Sequence, residues 1–130
     1  MEDSILYLTY AEKGGQIVRF DFAKMEEKAL PHFKGGEKEL NAKMFTDTNN
    51  KILLGRLVPG ATVGEHKHEG SSEIVYGLSG KGYIVCDGEK EILEPGVACY
   101  CPEGSSHTVI NDGAEDLSFF AIVPEHGSLK

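Results

Sequence analysis

Hydrophobic and polar positions alternate in short bursts along this chain, and the bursts are separated by turn-forming residues. Ile5-Leu6-Tyr7-Leu8-Thr9-Tyr10 is rich in β-branched and aromatic residues, and Gln16–Phe22 places Val18, Phe20 and Phe22 on one face, so both stretches predict strands. Leu40–Phe45 and Lys51–Val58 flank Thr46-Asp47-Thr48-Asn49-Asn50, whose Asp and Asn residues favour a turn, and together they predict a hairpin. After the break at Pro59-Gly60, further strands are predicted around 62–68, 73–79, 82–87, 90–93, 97–101, 106–111 and 117–123. Asp87-Gly88 is a two-residue hairpin signal between two of them. Residues 23–30 are ambiguous, with Lys24–Leu30 compatible with a short helix ending before Pro31. Many short strands with Gly and Pro turns predict an all-β fold, a sandwich or a barrel, and no strand–helix alternation supports a parallel sheet.

A chain of 130 residues with 40% hydrophobic content suits one domain with one core, and no linker, repeat or low-complexity segment divides it. No apolar run approaches the length of a membrane-spanning helix. The formal charge of -8 opposes unspecific attraction to nucleic acid and to anionic membranes, while a bound metal would reverse the sign locally. Met1-Glu2-Asp3-Ser4 lacks the basic region of a secretory signal, and Cys86, Cys99 and Cys101 make an odd count. Free thiols and a cytoplasmic location are therefore expected. The cysteines read as small apolar core residues, because two thiols at Cys99 and Cys101 fall short of a closed zinc site.

The chemistry concentrates between Gly60 and Gly80. Side chains alternate along a strand, so His66 and His68 share a face, and a second strand after the Glu69-Gly70-Ser71-Ser72 turn can bring Glu73 beside them. Two histidines on one strand are often packed or surface residues. A third candidate, His107, opens a later strand after a Pro/Gly turn. Three imidazoles and one carboxylate suit a divalent transition metal (Mn, Fe, Co, Ni or Zn), and four protein ligands in an octahedron leave two positions for a bound molecule. Asn111 reads as a structural hydrogen-bonding residue.

Gly60, His66, His68, Glu73 and Gly80 follow the spacing G-x5-H-x-H-x4-E-x6-G, and Gly96, Pro102, Gly104, His107 and Asn111 follow G-x5-P-x-G-x2-H-x3-N. These resemble the two motifs of the cupin superfamily, and the short spacer Lys81–Pro95 is similar to that of small single-domain bacterial cupins. The resemblance implies a double-stranded β-helix, or jelly-roll barrel, with additional N-terminal strands: a single domain over 1–130, divided into N-terminal strands at 1–58 and a conserved barrel core at 59–123. It implies His66, His68, Glu73 and His107 as ligands of one metal per chain, and a homodimer. Val97, Cys99 and Cys101 depart from common residues of the family without replacing a ligand.

Beyond the ligands, Tyr76 and Tyr83 are the candidate catalytic residues, with Tyr100, Glu65, Lys43 and Arg56 behind them. Glu65 neighbours His66 and should face away from it, and His32 and His126 read as surface residues. The expected function is that of a metal-dependent enzyme on a small polar, carboxylate or carbonyl molecule, of dioxygenase, decarboxylase, isomerase or lyase type. The alternative is a non-catalytic, metal-stabilised module that binds or senses a small sugar or carboxylate.

Overall fold

A computed structural model describes residues 17–127. Ten antiparallel strands follow one another: β1 (Lys28–Pro31), β2 (Glu39–Thr46), β3 (Asn50–Leu57), β4 (Thr62–Lys67), β5 (Glu73–Ser79), β6 (Gly82–Cys86), β7 (Glu89–Leu93), β8 (Ala98–Cys101), β9 (Ser106–Ile110) and β10 (Leu117–Pro124). They form a six-stranded sheet in the order β1-β2-β3-β10-β5-β8 and a four-stranded sheet in the order β4-β9-β6-β7. Consecutive strands repeatedly change sheets, as in a jelly roll.

Strict alternation fixes which residues meet between the sheets. β10 reads buried and half-buried in turn, with Leu117, Phe119, Ala121 and Val123 inward, and β3 does the same with Leu53, Gly55 and Leu57. Leu40, Val63, Val75, Ile84, Leu93 and Val109 join them in one core. Gly55 lies opposite Phe119 in the register. A side chain at Gly55 would sit 2.5 Å from the Phe119 ring, so glycine there makes room for the largest fully buried side chain.

The hairpin expected between 40 and 58 is β2–β3, and Asp47 Oδ1 accepts from the backbone N–H groups of Asn49 and Asn50 to shape its turn. The Asp87-Gly88 turn joins β6 to β7, with both residues at positive φ (49° and 85°), the signature of a type I′ hairpin. Two expectations need correction. Lys24–Leu30 is no helix: a 3-10 turn at Phe22–Lys24 gives way to β1, which pairs with β2 and sets Leu30 opposite Leu40. Sheet pairing overrides the helix preference of the Lys/Glu-rich segment. Within 17–22 there is no strand either; Phe20 stacks on Phe45 and Phe22 meets Phe120 edge-on, so the alternating aromatics pack without joining a ladder. The strand expected at 5–10 lies outside the described residues. No helix among the described residues is long and apolar enough to cross a membrane.

Candidate metal centre

β4 and the residue that follows it carry two of the four ligand candidates inward by means of an irregularity. Val63 pairs with Val109, whereas His66 pairs with His107, so β4 holds one extra residue between the two pairs. This is a β-bulge at Gly64-Glu65. Without it Val63 and His66, three positions apart, would face opposite sides. With it, Val63 packs in the core, Glu65 is exposed, and His66 and His68 turn inward. Gly64 permits a close approach: a Cβ there would collide with Lys34 O and lie 2.7 Å from Gly36 N, so the Phe33–Gly35 turn packs backbone to backbone against the bulge.

The other two candidates come from neighbouring strands. His107 is on β9, directly across from His66, and Glu73 is the first residue of β5. The turn at Pro102–Ser105 ties the two motifs together, because Gly104 N–H donates to His68 O at 2.7 Å and His68 N–H to Ser105 O at 2.9 Å. Asn111 is fully buried and bonds Leu57 O, Glu115 O and Gly113 N, a structural role that holds the end of β9.

The ligand atoms of His66, His68, Glu73 and His107 all lie within 4.8 Å of one another, in a cluster that could hold a metal ion. His68 Nε2 and His107 Nε2 are 3.1 Å apart, and Glu73 Oε1 stands 3.0 Å from the first and 2.9 Å from the second. Ligands about 2.1 Å from an ion are separated by about 3.0 Å along an octahedral edge and about 3.4 Å along a tetrahedral one. The three spacings suit three adjacent corners of an octahedron and equally the hydrogen bonds that join Glu73 to the two imidazoles. The three imidazole rings stand 4.8 Å apart in every pair, with planes inclined at 67°, 71° and 64°.

The surroundings prepare nitrogen lone pairs for a cation. His66 Nδ1 lies 2.8 Å from Gly64 O, which can only accept, so Nδ1 carries the proton and Nε2 is free to ligate. His68 Nδ1 is held by Ser71 Oγ at 3.1 Å. Burial lowers the basicity of His66 and keeps it neutral, and the neighbouring imidazoles add to this against the Gly64 hydrogen bond. Burial alone would raise the Glu73 carboxyl, which is 9% exposed, but hydrogen bonds from His107 and His68 and their charge outweigh it and hold the group down at about 2. Glu73 is thus an anion at neutral pH.

A cavity of about 260 Å³ opens onto the cluster. Leu53, Val63, Val109, Phe119 and Val123 form its apolar wall, and Lys34, Lys51 and Lys67 reach it. Lys67 is paired with Glu69 at 3.7 Å. Lys51 is half-buried, has the inward parity of Leu53 and was not singled out from the sequence; the β3 alternation was the available signal. The expected catalytic residues are elsewhere. Tyr76 is on β5 three positions after Glu73 and therefore on the outer face, 42% exposed. Tyr83 alternates with the buried Ile84 and lies under the Lys90 ammonium, 3.9 Å from the ring centre, also outside. Period-two alternation places both tyrosines, expected as catalytic from the sequence, on faces other than the one that carries the cluster. Arg56 is bound to Glu27 at 2.8 Å and 3.0 Å and to Asp116 at 2.9 Å, and Lys43 donates to Phe22 O, so neither serves the cavity.

Residues 53–123 match the family described as the Cupin domain. The chain is 32% identical over 118 residues to the oxalate-binding protein of Thermotoga maritima, an alignment that spans 86% of this chain and 96% of that protein. It is 31% identical over 104 residues to an uncharacterized protein of Methanocaldococcus jannaschii, spanning 80% and 69%. The crystal structure of a predicted oxalate decarboxylase from Thermotoga maritima superposes with a TM-score of 0.77 at 28% identity, covering 85% of this chain and 99% of that one. With both motifs in place on the jelly-roll strands, the chain belongs to the cupin family.

Proposed function

We propose that this single-domain cupin holds one divalent transition metal through His66, His68, Glu73 and His107, and that the metal cavity binds a small dicarboxylate of the oxalate class. The carrying observation is the cluster's spacing, in which three ligand atoms already stand 2.9–3.1 Å apart as an octahedral ion requires. A divalent ion held this way supplies Lewis acidity and two further coordination positions for carboxylate oxygens. The chain supplies the rest. A cavity of about 260 Å³ admits a ligand of few atoms, its apolar wall excludes water, and the Lys51 ammonium offers a charge partner to the second carboxylate. The likeness to the oxalate-binding protein supports the ligand class.

The non-catalytic reading is favoured over an enzyme of the proton-transfer type by the composition of that wall. Inside the rim, where Lys34, Lys67, Glu69 and Glu125 are all exposed, its polar side chains besides the ligands are Ser71 and the half-buried Lys51, which the second carboxylate engages, so among the described residues no further carboxyl or imidazole stands there to move a proton. A proton-transfer catalyst places a titratable group within reach of the bound molecule. Calorimetric titration of the Mn(II)-loaded protein with oxalate tests the proposal. We expect one oxalate per metal, no binding to chelator-treated protein, and about a tenfold weaker affinity in Lys51→Gln with metal occupancy unchanged. Oxalate binding that is indifferent to the metal would overturn the reading, and carbon dioxide release or oxygen uptake on adding oxalate would restore the enzyme.

The outer face of β5 and β8 exposes Ile74, Tyr76, Leu78 and Tyr100, β8 is the edge strand of its sheet among the described residues, and this supports a homodimer through that face. Sedimentation of wild type against Tyr76→Glu tests it, with a shift to monomer expected only in the variant.

A further inference from the structure

The three cysteines line a second cavity, of about 610 Å³, between the two sheets. Cys86 ends β6 in the four-stranded sheet and Cys101 ends β8 at the edge of the six-stranded one, yet their Sγ atoms are 3.7 Å apart. Thiolates about 2.3 Å from a tetrahedral ion are separated by about 3.8 Å, so the pair already has the spacing of two ligands on one cation. Forming a disulfide would require closing that gap to about 2.05 Å. Cys99 lines the same cavity, as do Asp87, Glu89 and Glu91, and among the described residues no lysine or arginine does.

A second, independent observation points to an ion there. His107 lines this cavity as well as the one at the four-residue cluster. It is 1% exposed, and its Nδ1 is the buried side-chain nitrogen or oxygen that lacks a hydrogen-bond partner among the described residues. Its Nε2 is turned toward Glu73 and His68. An imidazole that ligates through Nε2 carries its proton on Nδ1 and normally donates it to an acceptor. Cys86 stands directly across the ladder from His107, and Cys101 directly across from Glu73. Neutral thiols are poor acceptors, whereas thiolates bound to a cation are good ones.

We propose that Cys86 and Cys101 form a second metal site, for a thiophilic d10 cation such as Zn(II), Cd(II) or Cu(I), with His107 Nδ1–H donating to the thiolate pair and the Cys99 thiol and cavity carboxylates available for the remaining positions. Binding replaces each Sγ–H bond by an Sγ–metal bond and releases two protons to solvent per ion; no electrons are exchanged. Softness separates the two sites, since the cluster offers three nitrogens and an oxygen and this one offers sulfur.

The test uses the full-length protein, kept reduced with a phosphine, stripped of metal and titrated with Cd(II). Only sulfur ligation produces the ultraviolet thiolate-to-cadmium charge-transfer band, so the signal does not depend on whether the four-residue cluster holds a metal. We expect a band that saturates at one ion per chain at micromolar Cd(II) with two protons released, that persists in His66→Ala, and that is lost in Cys86→Ser/Cys101→Ser while the far-ultraviolet dichroism stays that of the wild type. A wild type without the band below millimolar Cd(II), or a double variant that retains it, would overturn the site. If the double variant fails to fold, Cys86→Ser alone is read, where half the proton release and a weakened band are expected and an unchanged band overturns the proposal.

Discussion

Replacing Glu73 by Gln separates the proposed metal-binding role of this residue from its place in the fold. The substitution keeps size and shape in a position that is 9% exposed, and it removes the only anionic donor of the four-residue cluster. Glu73 Oε1 contacts two imidazole nitrogens, at 3.0 Å and 2.9 Å, so the loss falls at the centre of the ligand set. Changing a group that merely orients a ligand costs about 10–100-fold in metal affinity, and losing the charged ligand itself costs about 100-fold or more. At a free metal concentration of 100 Kd the wild type gains about 2.7 kcal/mol, whereas the variant at the same concentration gains about 0.4 kcal/mol. For a chain of this length, with roughly 4 °C per kcal/mol, the wild type should melt about 10 °C higher with Mn(II) than with chelator, and Glu73→Gln about 2 °C higher. Taking the difference between loaded and stripped protein for each chain cancels any change the substitution makes to the stripped state. An equal metal-induced rise in Tm for both proteins would refute the assignment of Glu73 as a ligand.

In the metal-stripped protein Glu73 also makes stability depend on pH. Its folded value of about 2 lies below the ordinary 4.5, so the unfolded chain binds more protons, and the contribution is complete above about pH 4.5 and lost as pH falls toward 2. Urea midpoints should fall through that window by the equivalent of a few kcal/mol in wild type and less steeply in Glu73→Gln. Gly64→Ala should destabilise the fold by about 1–3 kcal/mol, because the new methyl group meets the backbone of Lys34 and Gly36, and should weaken metal binding because the Gly64 carbonyl that aims His66 moves with the bulge. Urea denaturation and metal titration of the same preparation measure both effects. Tyr83→Phe and Tyr76→Phe should leave metal affinity within about twofold, since both rings are on outer faces; a tenfold loss would place a tyrosine at the cluster after all.

What the sequence reveals and what it hides follow from the range of the physics involved. Alternation and turn chemistry are local, so every strand from β2 onward is legible, and the convergence of His66, His68, Glu73 and His107 is legible because the motif spacing stands for contacts the strands must make. Tyr76 was legible too: with Glu73 inward, a residue three positions along the same strand faces out. The segment at Lys24–Leu30 misleads because its Lys and Glu residues suit a helix, and only the pairing of Leu30 with Leu40 across the sheet decides otherwise. The bulge at Gly64-Glu65 is hidden for a related reason, since His66 and His68 share a face with or without it and only Val63, packed against Val109, reveals the extra residue.

Sheet-to-sheet contact is the least local term, and there the sequence is silent. Nothing in the spacing of Cys86 and Cys101 announces that strands from different sheets bring their sulfurs to 3.7 Å. Yet the register that assembles the cluster also places this pair. β9 lies beside β4 and β6, so His107 faces His66 across one ladder and Cys86 across the other; β5 lies beside β8, so Glu73 faces Cys101. A slip of one residue in β9 would reverse the face of His107, and one in β8 that of Cys101, so each constellation depends on the register of its strands. The four-residue cluster and the thiol pair therefore both depend on strand register, and a substitution that shifts β9 should disturb both through His107, which belongs to the first and stands across the ladder from Cys86.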